Sequence, residues 1–325
     1  MNPGLPHSLA SADQEQTAQK PRARGPRTVF ALFAPASPGT SERVAAGFAE
    51  LERLGWHVVP AAPQVSEGYF ANSLAERRNE LLEALSAGAD TALLAIRGGY
   101  GSNYLLDELH LPRNAAPRML IGYSDLTSLQ VFLWQKHRWV SFYGPMLASG
   151  FHAGPGRPHG YDQASLLAAL ETTRGGWSVS LAGESLVPGR AEGRILGGCL
   201  TLVETTLGTP WELDTRDALF VLEDRGMKPW QVDRALMHLA QAGKFRHIKG
   251  IVLGDFPECD PPVSGSPTVR DVAERILAPL GVPVVFGAPV GHTERALLTL
   301  PLGVNARLTA EGQGMLEILE PAVVP

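Results

Sequence analysis

From residue 27 onward the chain alternates short β-branched runs with amphipathic stretches of helical period, and this order of segments constrains the fold more than any other feature. A parallel sheet with helices on both faces is the arrangement that buries such an alternation. Strands are expected over 29–33, 56–59, 91–96, 119–123 and 140–143. Between the first two, Val44, Phe48, Leu51 and Leu54 recur at helical spacing, and Gly55 supplies the stop. Asn72 or Ser73 can cap a second helix carrying Leu74, Leu81, Leu82 and Leu85, and a third helical pattern runs from Asp125 to about Lys136. Residues 150–192, rich in Gly, Pro, His and Ser around one helical stretch at 163–171, read as a linker. Beyond it, strands at 218–222, 248–253 and 282–286 alternate with helices near 200–206, 230–242 and 271–277, and 304–308 with 314–318 reads as a closing hairpin. The expected organisation is a disordered leader (1–27), an N-terminal α/β domain (28–149), the linker (150–192) and a C-terminal domain (193–325) with its own sheet.

Composition removes several functions. With 325 residues a large core is available. The 28 Lys and Arg against 33 Asp and Glu give a net charge of −5, without the clustered basic residues that phosphate backbones require, so nucleic acid is not the expected partner. Cys199 and Cys259 stand in unrelated contexts without a CxxC spacing, which indicates neither a disulfide framework nor a zinc site. No HExxH occurs either, so neither metal nor cofactor is expected. Residues 1–27 lack the apolar run of a secretory signal, and runs such as 91–96 are too short to cross a bilayer. The expectation is a soluble, cytoplasmic protein acting on a small molecule or short peptide.

The sharpest local signal is Ile121-Gly122-Tyr123-Ser124-Asp125, where a strand turns directly into a helix with a serine at the corner. Such a corner lifts a hydroxyl clear of the backbone and places it by a helix N-terminus. It is not a GxSxG elbow, because Leu126 stands where the second glycine would be, and Ser124 or Asp125 could equally cap the helix. A serine nucleophile needs a base, and the base needs an acid to hold its tautomer. His292 follows an expected strand in Pro289-Val290-Gly291-His292, and Glu223 ends the apolar run 218–222. Glu223 could instead pair with Arg225 or Arg234, and Asp224 could take its place. Gly98-Gly99-Tyr100-Gly101 leaves the end of a parallel strand, where open α/β sheets bind ligands. It lacks the spacing of a nucleotide loop. An oxyanion hole built from the N–H groups of Gly99 and Asp125 fits better, with a plain tight turn as the alternative.

These residues sit inside longer matching segments: Arg97-Gly98-Gly99-Tyr100-Gly101, Gly122-Tyr123-Ser124-Asp125-Leu126-Thr127, Gly144-Pro145-Met146-Leu147, Gly197-Gly198 through Gly208-Thr209-Pro210-Trp211, Val221-Leu222-Glu223-Asp224, Gly254-Asp255-Phe256, and Gly291-His292 followed by Leu300-Pro301-Leu302-Gly303. In this order they resemble the LD-carboxypeptidase family, whose other branch contains the microcin C immunity peptidases. The resemblance implies an N-terminal flavodoxin-like or Rossmann-like parallel-sheet domain, a C-terminal domain with a mixed β-core, and an active site between them. It puts the nucleophile on Ser124, the orienting glutamate on Glu223 and the base on His292. It also implies a homodimer that needs no cofactor and releases the terminal D-Ala of peptidoglycan stem tetrapeptides during cell-wall recycling. Relatives often carry an arginine shortly after the glycine loop, where this chain has Ser102-Asn103-Tyr104, so that residue's role does not transfer. Two alternatives share the scaffold. One cleaves a peptide-nucleotide amide and needs an aromatic such as Trp177 or Trp230 to stack a nucleobase. The other is a non-catalytic peptide-binding protein.

Overall fold

The computed structural model describes residues 17–112 and 114–325. Its first sheet is built on five parallel strands: β1 (Val29–Phe33), β2 (His57–Val59), β3 (Thr91–Ala95), β4 (Met119–Gly122) and β5 (Ser141–Tyr143). Their spatial order is β2-β1-β3-β4-β5, the doubly wound flavodoxin-like arrangement, in which ligands bind outside the carboxyl ends near the point where the order reverses. The crossovers are α1 (Ser41–Arg53), α2 (Leu74–Ser86) and α3 (Thr127–His137). Thr40 caps α1 through its side chain, and Ser73 with Glu76 forms a capping box on α2. Residues 92–95 of β3 are all buried, as expected of a strand covered on both faces.

The second sheet is mixed. Parallel strands β8 (Gly189–Cys199), β9 (Ala218–Glu223), β10 (Gly250–Gly254) and β11 (Val284–Ala288) form its centre. On one side β13 (Asn305–Ala310), β14 (Met315–Ile318) and β6 (Trp177–Ser180) continue it antiparallel, and β7 (Glu184–Val187) closes the other side. Val232, Leu236 and Leu239 of α6 (Pro229–Gln241) and Val272 and Leu277 of α7 (Val269–Leu277) pack with Phe220 and Ile251 of this sheet in one apolar cluster. Both expected architectures, the parallel N-terminal sheet and the mixed C-terminal core, are present.

Three expectations about organisation need correction. Residues 150–192 are not a linker: they contain α4 (Gln163–Glu171), both edge strands β6 and β7, and the start of β8. The glycines of β8 give it the look of a loop in sequence, yet they answer a close approach. A Cβ on Gly197 would stand 1.9 Å from the Val221 carbonyl oxygen of β9, and its φ of +130° is closed to most side chains. Nor are 28–149 and 193–325 separate along the chain, because β12 (Leu300–Leu302) pairs antiparallel with β5 in the first sheet. Finally, only residues 1–16 of the expected leader lie outside the described residues. Residues 17–27 run along the body: Gln19 donates its N–H to the Arg138 carbonyl (2.7 Å), Ala23 to that of Val324 (2.7 Å), and Lys20 pairs with Glu320 at 2.6 Å. These contacts use the backbone just before β5, at Arg138 and Val140, and the C-terminal tail, which nothing in the local sequence announces. No helix among the described residues is long and apolar enough to cross a membrane.

Candidate active site

Ser124 leaves the carboxyl end of β4 with φ +64°, a left-handed conformation that costs a non-glycine residue about 1–3 kcal/mol and is held only by its surroundings. It is half-exposed in an otherwise buried run. Neither Ser124 nor Asp125 caps a helix, because the short 3₁₀ turn Ser124–Leu126 and α3 behind it start without a side-chain cap. The Asp125 carboxylate reaches back instead, accepting the N–H groups of Gly101 (3.3 Å) and Ser102 (2.8 Å), and Ser102 Oγ donates to the Asp125 carbonyl (2.6 Å). Burial pushes the Asp125 carboxyl above the usual range while those donors and the Arg77 charge oppose the shift. The glycine loop is thereby tied to the serine corner. A Cβ on Gly98 would meet Ser124 Cβ at 2.8 Å and Oγ at 3.0 Å, and the Tyr100 N–H donates to Ser37 Oγ (3.2 Å), fixing the Gly99 peptide between two anchors.

Across the cleft, Glu223 ends β9 with its side chain fully buried. Its Oε2 accepts both the backbone N–H of His292 (2.9 Å) and the His292 ring at Nδ1 (2.8 Å), while Oε1 accepts the Tyr143 hydroxyl at 2.5 Å. Burial alone would raise the Glu223 carboxyl, but the His292 charge and these hydrogen bonds outweigh it and hold it below the ordinary value. Burial pulls the His292 imidazole down, and the Glu223 charge and hydrogen bond more than reverse that, so its pKa lies above the usual histidine value. Gly291 makes the pairing possible: a Cβ there would stand 2.2 Å from Glu223 Cδ, and φ is +64°.

Asp224 points elsewhere. Its carboxylate accepts the Thr201 N–H (2.9 Å) and Oγ1–H (2.7 Å) at the start of α5 (Leu200–Glu204), so the two adjacent acids diverge as alternation along a strand predicts. The partner of Asp224 is thus a helix start, and Asp224 does not take the place of Glu223 beside His292. Arg225 pairs with Glu258, and Arg234 lies over the Trp230 ring, which leaves neither on Glu223.

The halves of the site meet through residues the sequence reading missed. Tyr143, at the end of β5, accepts the Ser124 N–H (3.3 Å) and donates to Glu223, spanning the cleft with one hydroxyl. Thr127 Oγ1 in the first turn of α3 accepts the Cys199 N–H (3.0 Å), and Cys199 is the β8 residue in register with Glu223. Arg77 of α2 is buried under the glycine loop and donates to the carbonyls of Gly101 (2.9 Å) and Pro35 (2.6 Å). A polar residue at the carboxyl end of a parallel strand beside the serine strand was the signal available for Tyr143; none was available for Arg77. Tyr123 packs edge-on to His292 with ring centroids 5.2 Å apart. No hydrogen bond joins Ser124 Oγ to the His292 ring among the described residues, and none of their groupings of His, Cys, Asp and Glu could hold a metal ion. A cavity of about 290 Å³ opens beside Tyr123 and His292; neither Trp177 nor Trp230 lines it.

Comparison with known proteins agrees with this architecture. The LD-carboxypeptidase N-terminal domain matches residues 30–144, and the LD-carboxypeptidase C-terminal domain matches residues 192–308. A putative carboxypeptidase of Streptomyces coelicolor is 36% identical over 313 residues, which is 94% of this chain and 97% of that protein. The crystal structure of a muramoyltetrapeptide carboxypeptidase from Oxalobacter formigenes aligns with a TM-score of 0.77 at 28% identity, over 90% of this chain and 99% of that one. The microcin C7 self immunity protein MccF aligns with a TM-score of 0.84 over 94% and 99%, but at 23% identity it speaks to the fold alone. With both domains matched in order and a relative aligned almost end to end, the chain belongs to the LD-carboxypeptidase family of serine peptidases.

Proposed function

We propose that the protein is an LD-carboxypeptidase that releases the terminal D-Ala from stem tetrapeptides of muropeptides, with Ser124 as nucleophile, His292 as base and Glu223 as the acid that orients it. The observation that carries this reading is the Glu223–His292 pair, buried at the cleft and bridged by Tyr143 to the strained Ser124 corner. Glu223 holds the proton of the ring on Nδ1, which leaves Nε2 to accept the Ser124 hydroxyl proton as Oγ attacks the scissile carbonyl. The N–H groups of Gly99 and Asp125 receive the developing oxyanion. His292 then protonates the leaving amine of D-Ala, and water, deprotonated by the same ring, attacks the acyl-enzyme to release the tripeptide and restore Ser124. On this reading the protein works in the cytoplasm as a homodimer and uses no cofactor. The name of the Oxalobacter formigenes relative supports the substrate class. The peptide-nucleotide alternative gains nothing from the cavity walls, which present no tryptophan.

The decisive experiment incubates the protein with disaccharide tetrapeptide and tripeptide standards and follows free D-Ala by chromatography. Release from the tetrapeptide alone is expected, and Ser124→Ala should lower kcat by roughly 10³-fold or more without loss of folding. Absence of D-Ala release by the well-folded wild type would end the assignment.

A further inference from the structure

An exopeptidase must recognise the end of its substrate, and the terminal carboxylate lies only about one residue's length, ~4 Å, beyond the carbonyl under attack. Resting on the peptidase reading above, we propose that Arg43, assisted by His152, binds the free α-carboxylate of the C-terminal residue that the enzyme releases.

The site is the cavity of about 290 Å³ beside His292. It is lined by His292, by Tyr123, whose hydroxyl is hydrogen-bonded to Ser149 Oγ (2.6 Å), by Arg43 from the first turn of α1, and by Gly150 and His152. The side chain of Arg43 makes no hydrogen bond or ion pair with any described residue, although its charge acts on both Tyr123 and His152. The other arginine of the cavity is engaged, since Arg225 pairs with Glu258. The acidic groups of the lining, Glu258 and Glu294, come from the C-terminal half, whereas Arg43 and His152 come from the N-terminal half. An unpaired guanidinium at a cleft wall offers a carboxylate two parallel N–H donors, the strongest neutralising geometry a side chain supplies.

His152 adds a donor of fixed identity. Its Nδ1 accepts the Gly150 N–H (3.2 Å), which requires that nitrogen to be unprotonated and puts the ring proton on Nε2. Burial, then the nearby Arg43 charge, holds the ring below the ordinary histidine pKa, so it stays neutral and presents an N–H where a second cation would be costly. The short 3₁₀ turn that carries it, Phe151–Ala153, packs against α1, and so the two groups share one rigid support.

The test compares a stem tetrapeptide with the same peptide carrying a C-terminal amide. Wild type should prefer the free acid by ~10²-fold in kcat/KM, because a donor set built for a carboxylate is left unpaired by its neutral isostere. Arg43→Ala should lower kcat/KM for the acid by ~10- to 10²-fold, mainly through KM, and leave the amide within about twofold. Arg43→Lys should fall between the two. Equal losses on acid and amide, or no loss on either, would overturn the proposal. Calorimetry with millimolar D-alanine and D-alaninamide reads the same site without turnover: wild type should bind the acid, and Arg43→Ala should not. Equal binding of D-alanine by both proteins, or by neither, would also overturn it. Wild type that releases no D-Ala from either peptide but binds D-alanine through Arg43 would sink the peptidase reading and leave the carboxylate site standing.

Discussion

Replacing Glu223 by glutamine keeps the shape of the buried side chain and removes its charge, and the consequences can be worked from its three contacts. Oε2 accepts two donors from His292 and Oε1 accepts one from Tyr143. Glutamine offers a single acceptor oxygen. If that oxygen serves His292, its NH₂ group faces the Tyr143 hydroxyl, which already accepts the Ser124 N–H; if it serves Tyr143, the NH₂ group faces two His292 donors. In the better orientation the two bonds to His292 survive as neutral ones. A charge-assisted hydrogen bond is worth about 1.5–3 kcal/mol against about 0.5–1.5 for a neutral one, so the imidazolium formed during catalysis loses roughly 2–4 kcal/mol. At about 1.4 kcal/mol per decade this is roughly 30- to 700-fold in kcat, below the ~10⁴-fold lost with triad acids elsewhere. The pH profile gives an independent reading. His292 must be neutral to act as base, so activity rises as pH rises through its pKa, and the Glu223 charge sets that limb above the ordinary value near ~6.5. In Glu223→Gln the burial that lowers the pKa remains and the charge that raises it is gone, so the acid limb should move below ~6.5. D-Ala release measured across pH 5–9, on proteins matched in melting temperature, tests both. A variant that kept more than about a tenth of wild-type kcat with an unmoved acid limb would refute the role given to Glu223.

Asp224→Asn should cost less than about tenfold in kcat and appear chiefly as a lower melting temperature, because the carboxylate serves the start of α5; a larger kinetic loss than Glu223→Gln in folded protein would reverse the assignment of the two acids. Tyr143→Phe removes the hydroxyl shared by Ser124 and Glu223, and a fall of ~10-fold in kcat with little change in KM is expected from steady-state kinetics. Gly291→Ala places a methyl against Glu223 at a positive φ, so kcat should drop by ~10²-fold while the far-ultraviolet circular dichroism is retained; near wild-type turnover would mean that the Glu223–His292 contact is not needed. Treatment with EDTA should leave D-Ala release intact, and a loss restored by zinc would reopen the question of a metal.

What the sequence by itself determined is local in origin. The β1–α1–β2 alternation, the glycine stop after α1 and the buried character of β3 follow from periodicity and composition over a few residues. Ser124, Glu223 and His292 could be singled out as candidates from sequence because each ends a hydrophobic strand or follows one, where reactive side chains are often displayed. Tertiary structure decided what depends on partners far along the chain. Glycine-rich β8 reads as a loop until β9 lies 1.9 Å from the place a Cβ would occupy, and β12 joins the N-terminal sheet only because β5 offers it an edge across a sequence separation of 157 positions, from 143 to 300. The choice of Glu223 over Asp224 is of the same kind. The two carboxylates are neighbours in sequence, and only the placement of His292 on one side of the strand end and Thr201 on the other separates a carboxylate paired with a histidine from one that secures a helix start. Tyr143 carries only the signal of a polar group at a strand end and Arg77 none, because a hydroxyl that bridges both halves of the site and a guanidinium that supports a loop are defined by groups the chain brings together only when both sheets have formed.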